Sequence, residues 1–125
     1  MIHKEEQLDK VNLAEKLSLF EERFSPKTVA TLNDYDVHVV KALGEFVWHK
    51  HDGTDDFFLV LKGRLTTQMR DRDVELEPGE LFVVPKEVEH CPRCDEETHI
   101  LLIEPRGTPN TGDAGGERTA IPERI

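Results

Sequence analysis

Short apolar runs separated by turn residues occupy most of the chain after Val29. The runs are rich in Val, Ile, Leu and Phe, and Asn, Asp, Gly or Pro residues lie between them. This pattern predicts about eight short strands, and such strands at regular intervals indicate an all-β sandwich or barrel. The predicted strands span residues 27–32, 36–42, 45–49, 56–61, 65–70, 74–76, 81–84 and 99–104.

One amphipathic segment precedes the strands. Leu13, Leu17 and Phe20 recur at spacings of four and three, which places them on one face of a helix. Asn12 is suited to cap this helix, because its side-chain oxygen can accept a hydrogen bond from the first helical turn. We therefore predict a short helix over residues 13–20.

Composition divides the chain into three parts. Residues 1–25 form a predicted N-terminal helical arm, and residues 26–105 form a predicted β domain that is large enough for one core. Residues 106–125 are rich in glycine and proline and have little apolar content, which is typical of a tail.

Several predicted strands are apolar on both faces. The runs FFLVL, LFVV and ILLI show no polar alternation, so the outer face of at least one sheet needs a cover. The N-terminal helix or a second subunit would supply that cover. On this ground we expect a homodimer.

The charge of the chain limits its partners. With 26 Asp and Glu against 16 Lys and Arg, the formal net charge is -10, and the basic residues are scattered. Such a surface repels phosphate groups, so we expect neither a nucleic-acid nor a membrane partner. The stretch MIHKEEQLDK lacks the apolar core of a signal peptide, and the longest apolar run is too short to span a bilayer. We predict a soluble, cytoplasmic protein.

The stretch WHKH offers candidate chemistry. In a strand, residues two apart point the same way, so His49 and His51 would present both imidazoles on one face. Neutral imidazole is the commonest protein ligand for transition metals, and a carboxylate often completes the site. Asp52, Asp55 and Asp56 are the nearby carboxylates. A His-x-His pair by itself is equally typical of an exposed strand edge.

A third imidazole comes from the second half of the chain, where the segment GELFVVPKEVEH leads through a strand to His90. Together, the glycines and histidines of the two halves resemble the two short motifs of the cupin superfamily. The chain is similar to small single-domain cupins of the mannose-6-phosphate-isomerase-like type. The matching residues are Gly44, His49, His51, Asp56 and Gly63 in the first motif and Gly79, Pro85 and His90 in the second.

This resemblance implies a fold and a metal site. The implied fold is a double-stranded β-helix, or jelly roll, with a short N-terminal helix. The implied cofactor is one divalent transition metal ion (Zn, Fe, Mn, Ni or Cu) at the mouth of the barrel. Its ligands would be His49, His51 and His90, and Asp56 would stand at the fourth position. The resemblance assigns no catalytic residue.

Four positions depart from the cupin pattern. Gly44 stands one position closer to the first histidine, Glu87 replaces a glycine, and Cys94 replaces an asparagine. Asp56 replaces the usual glutamate and is shorter by one methylene, or about 1.5 Å of reach. It would bind the metal directly, bind it through water, or leave a three-histidine site. Asp55 is the alternative carboxylate, and its strand parity is opposite to that of Asp56.

The Cys91-Pro-Arg-Cys94 segment has the Cys-x-x-Cys spacing of redox pairs and of half zinc sites. No helix N-terminus or second pair is predicted beside it. We therefore expect reduced structural thiols, with a redox role as the alternative. His38 and His99 are expected to be satisfied or exposed strand histidines rather than ligands.

Strand parity also predicts which side chains line a pocket beside the metal. Phe58 and Val60 share the parity of Asp56, and Gln68 and Cys91 are further candidates. Phe46 and Trp48 have the parity opposite to His49, so we expect them to face another layer or a dimer partner.

Two classes of function fit these features. One is a metal-dependent enzyme with isomerase or dioxygenase-like chemistry, in which the ion acts as a Lewis acid or a redox centre. The other is a non-catalytic ligand-binding or sensor protein with a structural or lapsed metal site. An unidentified small molecule is the expected partner in both.

Overall fold

The structure, a computed structural model, describes residues 8–125. Within these residues one short helix, α1 (Leu13–Leu17), precedes eight strands. The strands are β1 (Lys27–Leu32), β2 (Tyr35–Glu45), β3 (Asp56–Lys62), β4 (Leu65–Met69), β5 (Asp73–Leu76), β6 (Leu81–Val84), β7 (His90–Pro105) and β8 (Glu123–Arg124).

The long strand β7 organises the sheet. Its first part pairs with β4, and its second part pairs with β3, while β2 runs antiparallel along its other edge. Strands β5 and β6 extend the sheet beyond β4 and β3, and β1 and β8 extend it beyond β2. Apolar side chains from six strands, β2 to β7, converge on one core cluster, which indicates that the sheet curls around its inner face.

Most predicted strands are confirmed, with two exceptions. The strand predicted over residues 45–49 does not form, because β2 continues to Glu45 and the chain then runs irregularly to an isolated bridge at His49. Strand β7 begins at His90, well before the predicted start at residue 99. Its first part is polar and lacks strand propensity, so its pairing with β4 and β2 decides the conformation.

The N-terminal helix covers part of the outer face of the sheet. The Asn12 side chain accepts a hydrogen bond from the Glu15 N–H at 3.0 Å, so the predicted cap is confirmed. The helix ends at Leu17 rather than at residue 20. Phe20 nevertheless stays buried with Leu17 against Val39, so the predicted apolar face is used even where the backbone is no longer helical.

The C-terminal segment is attached to the sheet, contrary to the tail predicted from its composition. Strand β8 pairs in parallel with β1, and Thr111 is fully buried. The Asn110 side chain donates to the carbonyls of Phe24 and Arg118 and accepts from the Ala120 N–H. Polar side-chain contacts therefore hold a segment with little apolar content, and composition could not reveal them. The division of the chain at residues 25 and 105 stays a prediction.

Part of the outer sheet face remains uncovered. Leu81 and Val83 of β6 are 56% and 40% exposed, and they lie beside the half-buried Phe57 and Leu59 of β3. Among residues 8–125, no helix has both the length and the apolar character that crossing a bilayer would require.

Candidate metal centre

His49, in an irregular segment, lies opposite His90, the first residue of β7. The backbone N–H of His49 donates to the His90 carbonyl at 3.0 Å, and the reverse bond is 2.9 Å long. This antiparallel bridge places the two imidazole ring centres 4.4 Å apart. Backbone pairing therefore brings together the histidines of the two sequence motifs.

Hydrogen bonds to the backbone fix the proton positions on these two rings. Nδ1 of His49 lies 2.8 Å from the Val47 carbonyl oxygen, and Nδ1 of His90 lies 2.9 Å from that of Val88. A carbonyl oxygen can only accept, so Nδ1 is the protonated nitrogen in both rings. The Nε2 atoms are then the ones available to bind a metal ion, and both rings are held in place by the same kind of bond.

Asp56 begins β3 and places its carboxylate among the histidines. Its Oδ2 atom lies 2.9 Å from Nε2 of His90 and 3.3 Å from Nε2 of His51. The shorter aspartate thus reaches the imidazoles without the extra methylene of glutamate. Asp55 is exposed and accepts a hydrogen bond from the Lys86 N–H, so the parity argument that separated the two aspartates is confirmed.

The four candidate ligands form one buried set. One ligand atom from each of His49, His51, Asp56 and His90 lies within 4.8 Å of all the others. Atoms bound to one ion at about 2.0–2.2 Å lie at most about 4.4 Å apart, so the set would need to contract by only a few tenths of an ångström. The four-residue set therefore fits a single transition metal ion.

The chemistry of the donor set supports the same conclusion. Nε2 of His90 and a carboxylate oxygen of Asp56 are both acceptors once Nδ1 carries the ring proton, yet they are 2.9 Å apart. A proton or a cation must lie between two acceptors at that distance. Three imidazoles and one carboxylate are a common ligand set for divalent transition metals, and metal binding would displace the proton.

Burial and mutual contacts tune the ionisation of these groups. Burial lowers the pKa of His49 to about 4, which keeps the ring in the neutral form that binds metal. Burial opposes ionisation of Asp56, but hydrogen bonds from His51 and His90 outweigh it and lower the Asp56 pKa to about 2. Burial also disfavours a charged His51, yet the contact with Asp56 raises the His51 pKa.

A small cavity of about 60 Å³ adjoins the set. This is room for roughly four to six waters, or for a ligand of similar size. Glu104 and Asn110 add polar groups to walls that are otherwise mainly apolar. The apolar walls include Val40, Ala42, Phe46, Phe58, Ile100 and Leu102.

The structure places one of the four predicted pocket-lining residues in the pocket and the other three outside it. Phe58 lines the pocket, whereas Val60 packs into the core below it. Gln68 lies on β4 opposite Cys91, and its side chain donates to the Glu45 carboxylate and the Cys91 carbonyl, away from the pocket. Cys91 is fully buried and does not line the pocket. For Val60, strand parity gave the face but not the height along the barrel, whereas Gln68 and Cys91 lie one position from the pair Met69–His90 and therefore on the opposite face.

Phe46 corrects another expectation. It lines the pocket and meets the His49 ring edge-on, with ring centres 5.6 Å apart. Parity failed here because residues 46–48 are not in a regular strand. Trp48 instead stacks under the Arg70 guanidinium, whose carbon lies 3.9 Å from the ring centre.

The two cysteines do not form a reactive pair. Both are free and buried. Burial raises the pKa of Cys91 to about 11 and also raises that of Cys94, so neither thiol readily forms the nucleophilic thiolate. These features favour structural thiols over the redox alternative.

Gly112 and Asp113 of the C-terminal segment, here called the strap, pack against Lys50, the residue between His49 and His51. The sequence did not predict this contact. Asp113 accepts a hydrogen bond from the Lys50 N–H at 2.8 Å and donates its own N–H to the Lys50 carbonyl at 3.0 Å. Gly112 lies so close that an added Cβ would stand 2.3 Å from the Lys50 carbonyl oxygen and 3.0 Å from the His49 ring. Position 112 of the strap therefore has room only for glycine beside Lys50.

Comparison with known proteins agrees with this geometry. Residues 36–104, more than half of the chain, match the family model described as Cupin_2, Cupin domain. The crystal structure of a cupin-2 domain containing protein from Shewanella frigidimarina is 47% identical, with a TM-score of 0.76, and the match covers 77% of this chain and 94% of that one. These similarities confirm the predicted jelly-roll fold.

Two further proteins are similar. The crystal structure of protein NMB1881 from Neisseria meningitidis is 30% identical, with a TM-score of 0.72, and the match covers 78% of this chain and 99% of that one. The uncharacterized protein YdbB of Bacillus subtilis is 29% identical over 84 residues, which are 66% of this chain and 74% of YdbB. None of these descriptions assigns a substrate.

Proposed function

The chain belongs to the cupin family, and from that premise we propose that it binds one divalent transition metal ion and presents it to a small molecule. The proposed ligands are His49, His51, His90 and Asp56. The observation that carries the proposal is the convergence of three imidazoles and one carboxylate in a buried set spanning 4.8 Å, beside a pocket.

The chain's own residues prepare the site in two ways. The bonds from Nδ1 of His49 and His90 to backbone carbonyls orient two of the rings before any ion arrives. The apolar walls of the pocket offer contacts to the carbon skeleton of a ligand. When bound, the ion would supply Lewis-acid or redox chemistry to a ligand oxygen.

We propose turnover of the isomerase or dioxygenase type, and the identity of the metal separates these two. Zinc does not change oxidation state and suits the first, whereas iron or copper suits reaction with dioxygen. A second candidate is a non-catalytic ligand-binding or sensor cupin. The mainly apolar lining of the pocket favours it, because such walls bind a ligand without providing groups for chemistry.

The assembly and location follow as smaller proposals. The exposed Leu81 and Val83 beside β3 support a homodimer in which a second copy covers this face. Size-exclusion chromatography with light scattering tests the homodimer, and a monomer would contradict it.

Two free thiols are in keeping with a reducing cytoplasm, and the net charge of -10 disfavours nucleic-acid and membrane partners.

Metal content tests the main proposal. Elemental mass spectrometry on protein purified without an affinity tag or added metal should find near one equivalent of a transition metal. Protein that carries none and takes none up from added Zn, Fe, Mn, Ni or Cu salts would contradict the proposal. If removal of the metal leaves both small-molecule binding and stability unchanged, the non-catalytic candidate is favoured.

A further inference from the structure

A second histidine–carboxylate pair lies outside the four-residue set, and its carboxylate, Glu104, lines the pocket. Oε1 of Glu104, near the end of β7, is 3.1 Å from Nε2 of His38 on β2. The two side chains are only 6% and 2% exposed. Extending the register of β3 and β7 by one residue beyond the pair Phe57–Ile103 sets Glu104 opposite Asp56.

Burying the Glu104 carboxylate requires partners. An ionised carboxylate loses its hydration in a protein interior, which is unfavourable unless polar groups replace the water. Among residues 8–125, His38 is the only side chain that forms an ion pair with Glu104, and its other ring nitrogen lies 2.9 Å from Oγ1 of Thr28. A carboxylate can accept about four hydrogen bonds, so most of its accepting capacity is left over.

That remaining capacity faces the pocket. Glu104 is one of the residues that line it. Within the described residues, the side-chain polar atoms that are buried without a partner belong to Thr67 and Arg93, and neither Glu104 oxygen is among them. Oε1 has His38 as its partner, so it is Oε2, which accepts no hydrogen bond from residues 8–125, that is open to a pocket ligand. Because a carboxylate only accepts, its natural counterpart on a ligand is a donor.

We propose that Glu104, held by His38, is a ligand-binding residue that selects small molecules carrying a hydroxyl or another hydrogen-bond donor. The selection acts against molecules of equal size that lack a donor and against a ligand carboxylate at this position. The apolar walls contact the rest of the molecule. This inference deepens the proposed function and rests on it only in taking the pocket as a small-molecule site.

Two isomeric probes test this selection. 1-Butanol and diethyl ether contain the same atoms, and only the alcohol donates a hydrogen bond. Titration of ¹³C-labelled protein, followed through the pocket methyl groups of Val40, Ile100 and Leu102, gives both affinities. Since a hydrogen bond to a charged group is favourable, the alcohol should bind about tenfold more tightly. In Glu104→Gln the preference should fall to within about twofold, because a neutral amide both donates and accepts.

Glu97→Gln is the matched control. Glu97 lies on the same strand and also contacts a histidine, with its Oε2 atom 3.2 Å from Nε2 of His99, but outside the pocket. This variant should keep the tenfold preference. If Glu104→Gln does not fold, Glu104→Asp withdraws the carboxylate by one methylene and should weaken the preference. Equal affinities in the wild type, a preference that persists in the Glu104 variant, or no binding of either isomer would overturn the inference.

Each titration is run on metal-free and on zinc-loaded protein. Glu104 lies outside the metal-binding set, so the preference for the alcohol should appear in both states. A protein that takes up no metal but prefers the alcohol would contradict the proposed function alone. A protein that binds zinc but treats the isomers equally would contradict only the role of Glu104.

Discussion

Two buried histidine–carboxylate groups share the interior of this barrel, and they differ in the number of imidazoles per carboxylate. In the first, Asp56 is grouped with three histidines and contacts two of them, His51 and His90. In the second, Glu104 has one histidine, whose other nitrogen is occupied by Thr28. In the first group four ligand atoms converge, whereas in the second the unused accepting capacity belongs to the Glu104 carboxylate alone. The same residue types therefore indicate a metal site in one place and a ligand-binding pair in the other.

The backbone differs as well. His38 and Glu104 project from the regular ladder of β2 and β7, where each is paired in register. His49 and His51 lie in an irregular stretch that depends on a bridge to His90 and on the C-terminal strap. The four-residue set is thus the more dependent of the two groups on distant parts of the chain.

Removing one imidazole should have the largest effect. His90→Ala deletes a ligand and leaves its Asp56 partner buried, so metal affinity should fall by more than about hundredfold. Competition with a chelator of known affinity measures the loss. His99→Ala, which removes a strand histidine outside the metal-binding set, should keep the wild-type affinity. Equal metal affinities for the His90 variant and the His99 control would contradict a metal-binding role for the first group.

Removing the carboxylate charge should have the next largest effect. Asp56→Asn keeps the shape of the side chain but loses its charge, and we expect metal affinity to fall about 10- to 100-fold. Asp56→Glu keeps the charge and adds reach, so it should retain or improve metal binding. Calorimetric titration of both variants provides the comparison. Unchanged metal affinity in Asp56→Asn would show that the three histidines bind the metal without the carboxylate charge.

Much of the four-residue set was predictable from the spacing of two motifs, which specifies His49, His51, Asp56 and His90. The strand repeat of two did not contribute for His49 and His51, because they lie in an irregular stretch. The Glu104 pair was not predicted, although its parity matches that of Leu102 and Ile100, because a single glutamate at a strand end usually faces solvent. The strap was missed for a related reason. It is held by polar contacts between residues distant in sequence, which composition and local periodicity do not report.

The strap offers a smaller test of how the four-residue set is supported. Gly112 has φ +53° and no room for a Cβ, whereas Gly115 has φ +61° and open space around it. Gly115→Ala therefore isolates the backbone cost, and Gly112→Ala adds the clash with Lys50. We expect Gly112→Ala to lower the unfolding free energy by about 2 kcal/mol more than its control. Chemical denaturation of both variants measures the difference. Equal losses of unfolding free energy would show that the close contact of Gly112 with Lys50 does not contribute to stability.

The smallest expected effect is a gain in stability. Glu87 has φ +69°, a conformation that costs little for glycine, and its N–H donates to the His51 carbonyl at 2.8 Å. Glu87→Gly should stabilise the fold by about 0.5–1 kcal/mol. Lys86→Gly, in the same turn but outside the positive-φ residues, should instead destabilise it by a similar amount. Thermal unfolding of the two variants checks the signs, and stabilisation by both would contradict the strain at Glu87.

The most direct test of the central claim is a crystal structure of the metal-loaded protein with anomalous data collected at the absorption edge of the metal. We predict one anomalous peak within about 2.0–2.3 Å of Nε2 of His49, His51 and His90 and of one Asp56 oxygen. A peak at Cys91 and Cys94, or ordered histidines with no metal between them after loading, would contradict the account.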